Sequence, residues 1–176
     1  QTPHDERPGD STSWYSSYWG FCSQLLEDRY GKDWCISPEQ SLLLHAGNWT
    51  VPQQLIIKSP KGSNTKTDLP FNTSLFHIKS QLLPNDAIVK KDGIRMLSLP
   101  ESIVNISEIT FTQNPTDART ALAMIQEASP ILSILLQEGQ SIVAGRLAGA
   151  FRNIKKDRIA DDIIKTMKII LLGSLH

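Results

Sequence analysis

Hydrophobic positions along this chain switch from helical to strand spacing and back again. Trp14, Tyr18, Cys22 and Leu25 recur at helical spacing, with Tyr15, Trp19 and Leu26 beside them. They predict a first helix that ends near Tyr30 and is capped by Gly31. Its aromatic stripe reads as core rather than as a ligand platform. Gln1–Ser13, ahead of it, carries two prolines and nothing apolar to bury, and is expected to be a disordered arm. Trp34-Cys35-Ile36 reads as a short extended piece. Ser37-Pro38-Glu39-Gln40 then starts a second helix: Ser37 caps, Pro38 takes the first helical position, and Gln40 closes a capping box. Gly47 stops it.

The middle of the chain alternates. Gln54–Lys58 and Thr73–Ile78 predict strands, with a turn and loop over Ser59–Leu69 between them. Ala87–Lys90 and Ile94–Leu97 predict a hairpin across Lys91-Asp92-Gly93. Leu99–Ser102 leads into a short helix or turn, and Phe111 is expected to close the sheet region. Helical spacing then returns. Asn114-Pro115 and Ser129-Pro130 each open a helix, and Gly139 ends the second. Ile159, Ile163, Met167 and Ile170 mark one stripe of a last helix, on which Asp161 and Lys165 form a pair four residues apart. The expected fold is α+β: a small, mostly antiparallel sheet packed with helices, followed by a C-terminal helical extension. The expected division is an arm over residues 1–13, an α+β domain over 14–113 and a helical extension over 114–176.

The helix that opens at Ser141 has two unlike faces. Val143, Leu147, Phe151 and Ile154 form the apolar one. Gly145, Gly149, Arg152 and Lys156 fall opposite. A glycine inside a helix costs about 1 kcal/mol relative to alanine, so two of them spaced four apart call for a reason. They leave a notch, bordered by two cations, where another backbone or a ligand such as a phosphate group could come close. These four residues are the candidate partner-binding site; the alternative is a solvated face with tolerated glycines.

Charge modifies this picture only locally. The formal net charge is zero, which gives the whole chain no electrostatic hold on nucleic acid. The stretch from Gly139 onward nevertheless carries seven Lys/Arg against three Asp. Cys22 and Cys35 lack metal-ligand spacing and read as reduced, buried thiols of a cytoplasmic protein. Asn48, Asn72 and Asn105 sit in glycosylation sequons, which count only in a secreted chain. No run is long enough to span a membrane. A chain that begins at Gln1 reads as a fragment or a processed product.

Catalytic motifs are missing from the sequence: no GxxxxGK(S/T), HExxH, paired CxxC, GxSxG or calcium loop occurs. Among the histidines, His4 is in the arm and His176 is terminal, leaving His45 and His77 as the only core candidates; His45, alone on its short helix, reads as structural. No catalytic, cofactor or metal residue is assigned.

The run YWGFCSQLLEDRYGKDWCISPEQSLLLHAGNWTVPQQLIIKSPKGSN resembles the AbiEi-type antitoxin domain found in the N-terminal half of many bacterial Fic-family proteins. The run FTQNPTDARTALAMIQEASPILSILLQEGQSIVAGRLAGAFRNIKKDRIADDIIKTMK is similar to the segment that joins that region to the Fic domain. Three departures accompany the resemblance. Nothing before Trp14 looks like the winged helix such proteins usually begin with. The Fic loop HxFx(D/E)GN is absent. The chain also stops at IILLGSLH, where the family continues into its catalytic domain. The resemblance implies a non-catalytic regulatory module of a toxin–antitoxin or Fic-type system. Its expected partner is a Fic or toxin domain, or a second copy of itself, docked through the C-terminal helices. The alternatives are a fragment of a nucleotidyl-transferring enzyme and a DNA-binding antitoxin-type regulator.

Overall fold

The computed structural model describes residues 8–138 and 141–174. It is an α+β protein of two compact units. The first comprises residues 8–41 and 49–98, the second residues 42–48 and 99–174. This differs from the expected boundary at 113/114. The segment after Ser98 turns helical at once, and Ile103, Val104 and Ile106 join the apolar cluster of the later helices.

In the first unit, helix α1 spans Pro8–Tyr30. It starts at Pro8 rather than Trp14, so residues 8–13 belong to the helix and not to an arm; residues 1–7 lie outside the described residues. A proline is well suited to the first helical position, and the helix opens there despite the lack of apolar groups. Tyr18, Cys22, Leu26 and Tyr30 are its buried line. Gly31, in the left-handed region at φ +64°, ends it and sends its N–H to Glu27 O.

Strand β1 (Cys35–Ile36) pairs with β2 (Gln54–Ser59), and β4 (Thr73–Lys79) lies between β2 and β3 (Thr65–Leu69). The sheet is mixed: β2 and β4 run parallel, with Leu55 opposite Leu75 and Ile57 opposite His77, whereas β1–β2 and β3–β4 are antiparallel. Sequence spacing missed β3. Its TKTDL is exposed or half-exposed throughout, so no buried alternation marks it; ladder bonds to β4 alone make it a strand.

Strands β5 (Ile88–Lys91) and β6 (Ile94–Leu97) form the predicted hairpin, with Val89 opposite Met96 and Lys90 opposite Arg95. Asp92 and Gly93 both have positive φ, +51° and +82°, as a two-residue hairpin turn requires. A Cβ at Gly93 would fall 2.2 Å from Ser23 Oγ, the hydroxyl that donates to Gly93 O. Glycine at this tip therefore serves both the turn and its seat on α1.

Helix α2 (Pro38–His45) crosses the unit boundary. Ser37 Oγ accepts from Gln40 N–H, as a cap should. The Ser37 N–H goes to Ile56 O instead of completing a capping box.

The second unit is helical: α3 (Leu99–Asn105), α4 (Ile109–Gln113), α5 (Pro115–Ala123), α6 (Ser129–Glu138), α7 (Ser141–Asn153) and α8 (Asp157–Ser174). Phe111 lies in α4 and packs on the helical cluster; it closes no sheet. Asn114 precedes α5 without a side-chain cap bond. Gly139, the expected end of α6, lies outside the described residues. The core is one apolar cluster around Leu135, Leu147, Phe151 and Ile163.

The α7–α8 joint has an unusual residue. Lys155 sits at φ +63°, Lys155 N–H bonds Arg152 O at 2.9 Å, and Lys156 N–H bonds Phe151 O at 2.9 Å. This is a Schellman ending with lysine where glycine is usual. Lys155→Gly is therefore expected to stabilise the second unit by about 1 kcal/mol, the cost of holding a side-chain-bearing residue in that region. Urea titration followed by circular dichroism checks it; a loss of stability would mean that the Lys155 side chain matters more than its backbone.

Candidate functional site

The site read from sequence lies on α7 and just beyond it. Leu147 and Phe151 are buried with Ala144 and Ala148, and Val143 and Ile154 are half-buried, so the apolar face is as expected. Gly145 and Gly149 are exposed on the other side, and a Cβ built on either meets nothing within 4 Å. The notch is thus open. Its two cations already have partners within the chain. Arg152 Nη2 contacts Asp161 Oδ1 at 2.9 Å, so Asp161 pairs across to α7. Lys156 lies past the end of α7, and its Nζ donates to the carbonyl of Ile125. Lys156 therefore leaves the notch face. The left-handed step at Lys155 breaks the helical spacing that had placed it there.

Helix α8 returns along α7, since a three-residue link joins them and their apolar faces share one cluster. Counting helical rise back from the Arg152–Asp161 contact sets Gly149 level with Lys165, Gly145 level with Lys168, and Ile142 level with Leu172. Away from that ion pair, both helices carry exposed apolar residues toward their far ends. Ile142 is 84% exposed, Ile169 61% and Leu172 61%, with Leu171 and Leu136 also open. A cleft of about 500 Å³ lies between α6 and α8, lined among others by Leu132, Leu136, Arg158, Ile159 and Asp162.

Magnitudes rank these features. An exposed ion pair contributes about 0–1 kcal/mol. Burying one large aliphatic side chain contributes about 1.5–3 kcal/mol. Ile142, Ile169 and Leu172 are therefore the largest potential sources of affinity on α7 and α8, and sequence spacing did not single them out. Their signal was present: Ile142 falls on the glycine face, and α8 turns apolar all round at Ile169-Ile170-Leu171-Leu172.

The first unit holds the only buried histidine among the described residues. His77 Nδ1 lies 2.7 Å from Tyr30 Oη, and Nε2 lies 2.8 Å from Thr67 Oγ1 and 3.2 Å from Arg29 Nη1. Arginine only donates, so Nε2 accepts and Nδ1–H donates to Tyr30. Burial, aided by the Arg29 charge, pushes the His77 pKa below its ordinary value, and burial raises that of Tyr30. Both ring nitrogens are committed, which makes His77 a buried structural link between α1, β3 and β4. Cys22 and Cys35 are free and buried, and burial pushes their thiols up to about 11 and about 12, far from nucleophilic thiolates. His45 is half-buried in the last turn of α2.

Among the described residues no group of three or more His, Cys, Asp or Glu is placed to hold a metal ion, and no helix is long and apolar enough to cross a membrane. No protein-family model, curated protein or solved structure matches this chain.

Proposed function

We propose that this chain is a non-catalytic docking module of a bacterial, cytoplasmic toxin–antitoxin or Fic-type system. It holds a Fic or toxin domain through the open face of α7 and α8. The observation that carries this reading is the exposure of Ile142 on α7, on the same side as the open Gly145 and Gly149, and of Ile169 and Leu172 near the end of α8. Exposed large aliphatic side chains gathered into a patch mark an interaction surface, and in this reading a partner covers these three together. The roles within the face differ. The aliphatic groups supply affinity, the glycines admit a close backbone, and Lys165 and Lys168 steer an acidic partner surface toward them. Arg152 holds α7 to α8 through Asp161 rather than reaching outward. The committed His77 ring and the two buried, protonated thiols support the non-catalytic part of the reading.

Two variants test it against a Fic domain encoded in the same reading frame or beside it. Ile142→Glu is expected to weaken binding about a hundredfold, because it replaces a buried aliphatic group with a desolvated charge. Gly149→Leu is expected to weaken binding while leaving the free chain as stable or slightly more so, since leucine is the better helix former. Calorimetry and thermal melts read both. Unchanged affinity in both variants would leave the face as a solvated surface.

A further inference from the structure

At the C-terminal end of α1 the first unit has a second cleft, of about 610 Å³, unrelated to the α7–α8 face. Its walls include Glu27, Lys32, Asp33, Asn85, Lys90 and Arg95. Two of its cations are direct cross-strand partners: Lys90 stands opposite Arg95 in the antiparallel β5–β6 ladder. Like charges in that relation destabilise a hairpin unless something negative lies between them. Lys32 brings a third cation from the chain just after Gly31.

The carboxylates present do not neutralise this set. Glu27 Oε1 reaches Lys90 Nζ at 3.5 Å, while Asp33 Oδ2 turns to Lys61 Nζ at 3.2 Å. Lys32 and Arg95 are left without a carboxylate among the described residues. Arg95 is moreover held in place. It is half-buried, and its Nε donates to the carbonyl of Trp34 at 3.1 Å. That bond fixes the guanidinium plane and leaves the two terminal nitrogens as donors. The carbonyl end of α1 attracts cations by itself, but that attraction does not require one of them to be fixed by its Nε or two of them to stand opposite each other.

We propose that this cleft binds the phosphate group of a small phosphorylated ligand. Arg95 grips two phosphate oxygens through its terminal nitrogens, Lys90 and Lys32 supply charge from either side, and the Asn85 amide lies within the same cleft. Phosphate suits the site better than carboxylate does, because its higher charge and its oxygens pointing in several directions match three cations that line one cleft. The volume falls in the range of small-ligand pockets and leaves room for the rest of such a molecule.

Inorganic phosphate is the probe, titrated at constant ionic strength into the isotope-labelled chain and followed by amide shifts. Saturable shifts at residues 32, 85, 90 and 95 are expected, with acetate at least tenfold weaker. Arg95→Gln should weaken phosphate at least tenfold and Lys32→Gln severalfold; the Lys32 side chain makes no hydrogen bond or ion pair among the described residues, so this variant keeps the fold intact if Arg95→Gln does not. Glu27→Gln should strengthen phosphate severalfold by removing a competing anion. Shifts that rise linearly without saturation, acetate equal to phosphate, or Lys32→Gln matching wild type would each overturn the proposal.

Discussion

Replacing Phe151 by alanine is expected to cost the helical unit about 3–5 kcal/mol, as large aromatic truncations in sealed cores do. Phe151 is fully buried, and its side chain sits in the cluster that joins α7 to α8. Its carbonyl also accepts from Ile154 and Lys156 at the helix joint, bonds that the alanine variant keeps. The loss therefore isolates side-chain packing from capping. Against a typical domain stability of about 5–15 kcal/mol, it would bring the unit close to unfolding. Circular dichroism in urea is the proper readout, because all four tryptophans belong to residues 14–49 and none reports on α7 or α8. Gly149→Leu, two positions earlier on the same helix, is the internal control with the opposite sign. A Phe151→Ala loss below about 1 kcal/mol would show that the cluster is not packed as described.

His77→Ala is expected to cost the first unit about 2–5 kcal/mol. It empties a fully buried volume and removes the hydrogen-bond partner of Tyr30 Oη and of Thr67 Oγ1. The same substitution should alter the pH dependence. The folded state holds the ring neutral because it is buried and faces Arg29. The unfolded chain takes up a proton near the ordinary histidine value of about 6.5. Protons thus favour the unfolded state below that pH, and they do so until the folded ring itself is protonated. Stability of the wild type should be level above about pH 6.5 and fall as the pH drops below it. In His77→Ala this component should vanish, giving a flatter profile from a lower start. Tryptophan fluorescence in urea at several pH values reads both effects. An equal slope in wild type and variant would mean that the ring is protonated as readily folded as unfolded.

The elements legible in the sequence were those with chemistry at fixed offsets. Gly31 after a helical stripe, Ser37-Pro38 before one, and Asp92-Gly93 between alternating runs all lie where the structure uses them. Strand β3 was not legible because an exposed edge strand has no buried face to impose alternation. The parallel pairing of β2 with β4 was equally hidden, since register between distant strands leaves no local mark. At the candidate site, the glycine face of α7 could be read from spacing, but Lys156 could not be excluded from it. A lysine at φ +63° gives no warning that the helix has ended, as glycine would have done. The His77 network was invisible for another reason: Arg29 and Tyr30 are brought to it only by the fold. The alternation Thr73, Leu75, His77 did carry a hint, for it places the ring on the buried side of β4.

Hydrogen exchange of the chain, alone and with a Fic domain from the same reading frame or its neighbour, tests the docking account most directly. The account predicts slowed exchange at residues 141–149 and 165–174 on mixing, with little change over residues 54–79, and loss of that protection in Ile142→Glu. Protection confined to the strands, or none at any residue of α7 and α8, would contradict it.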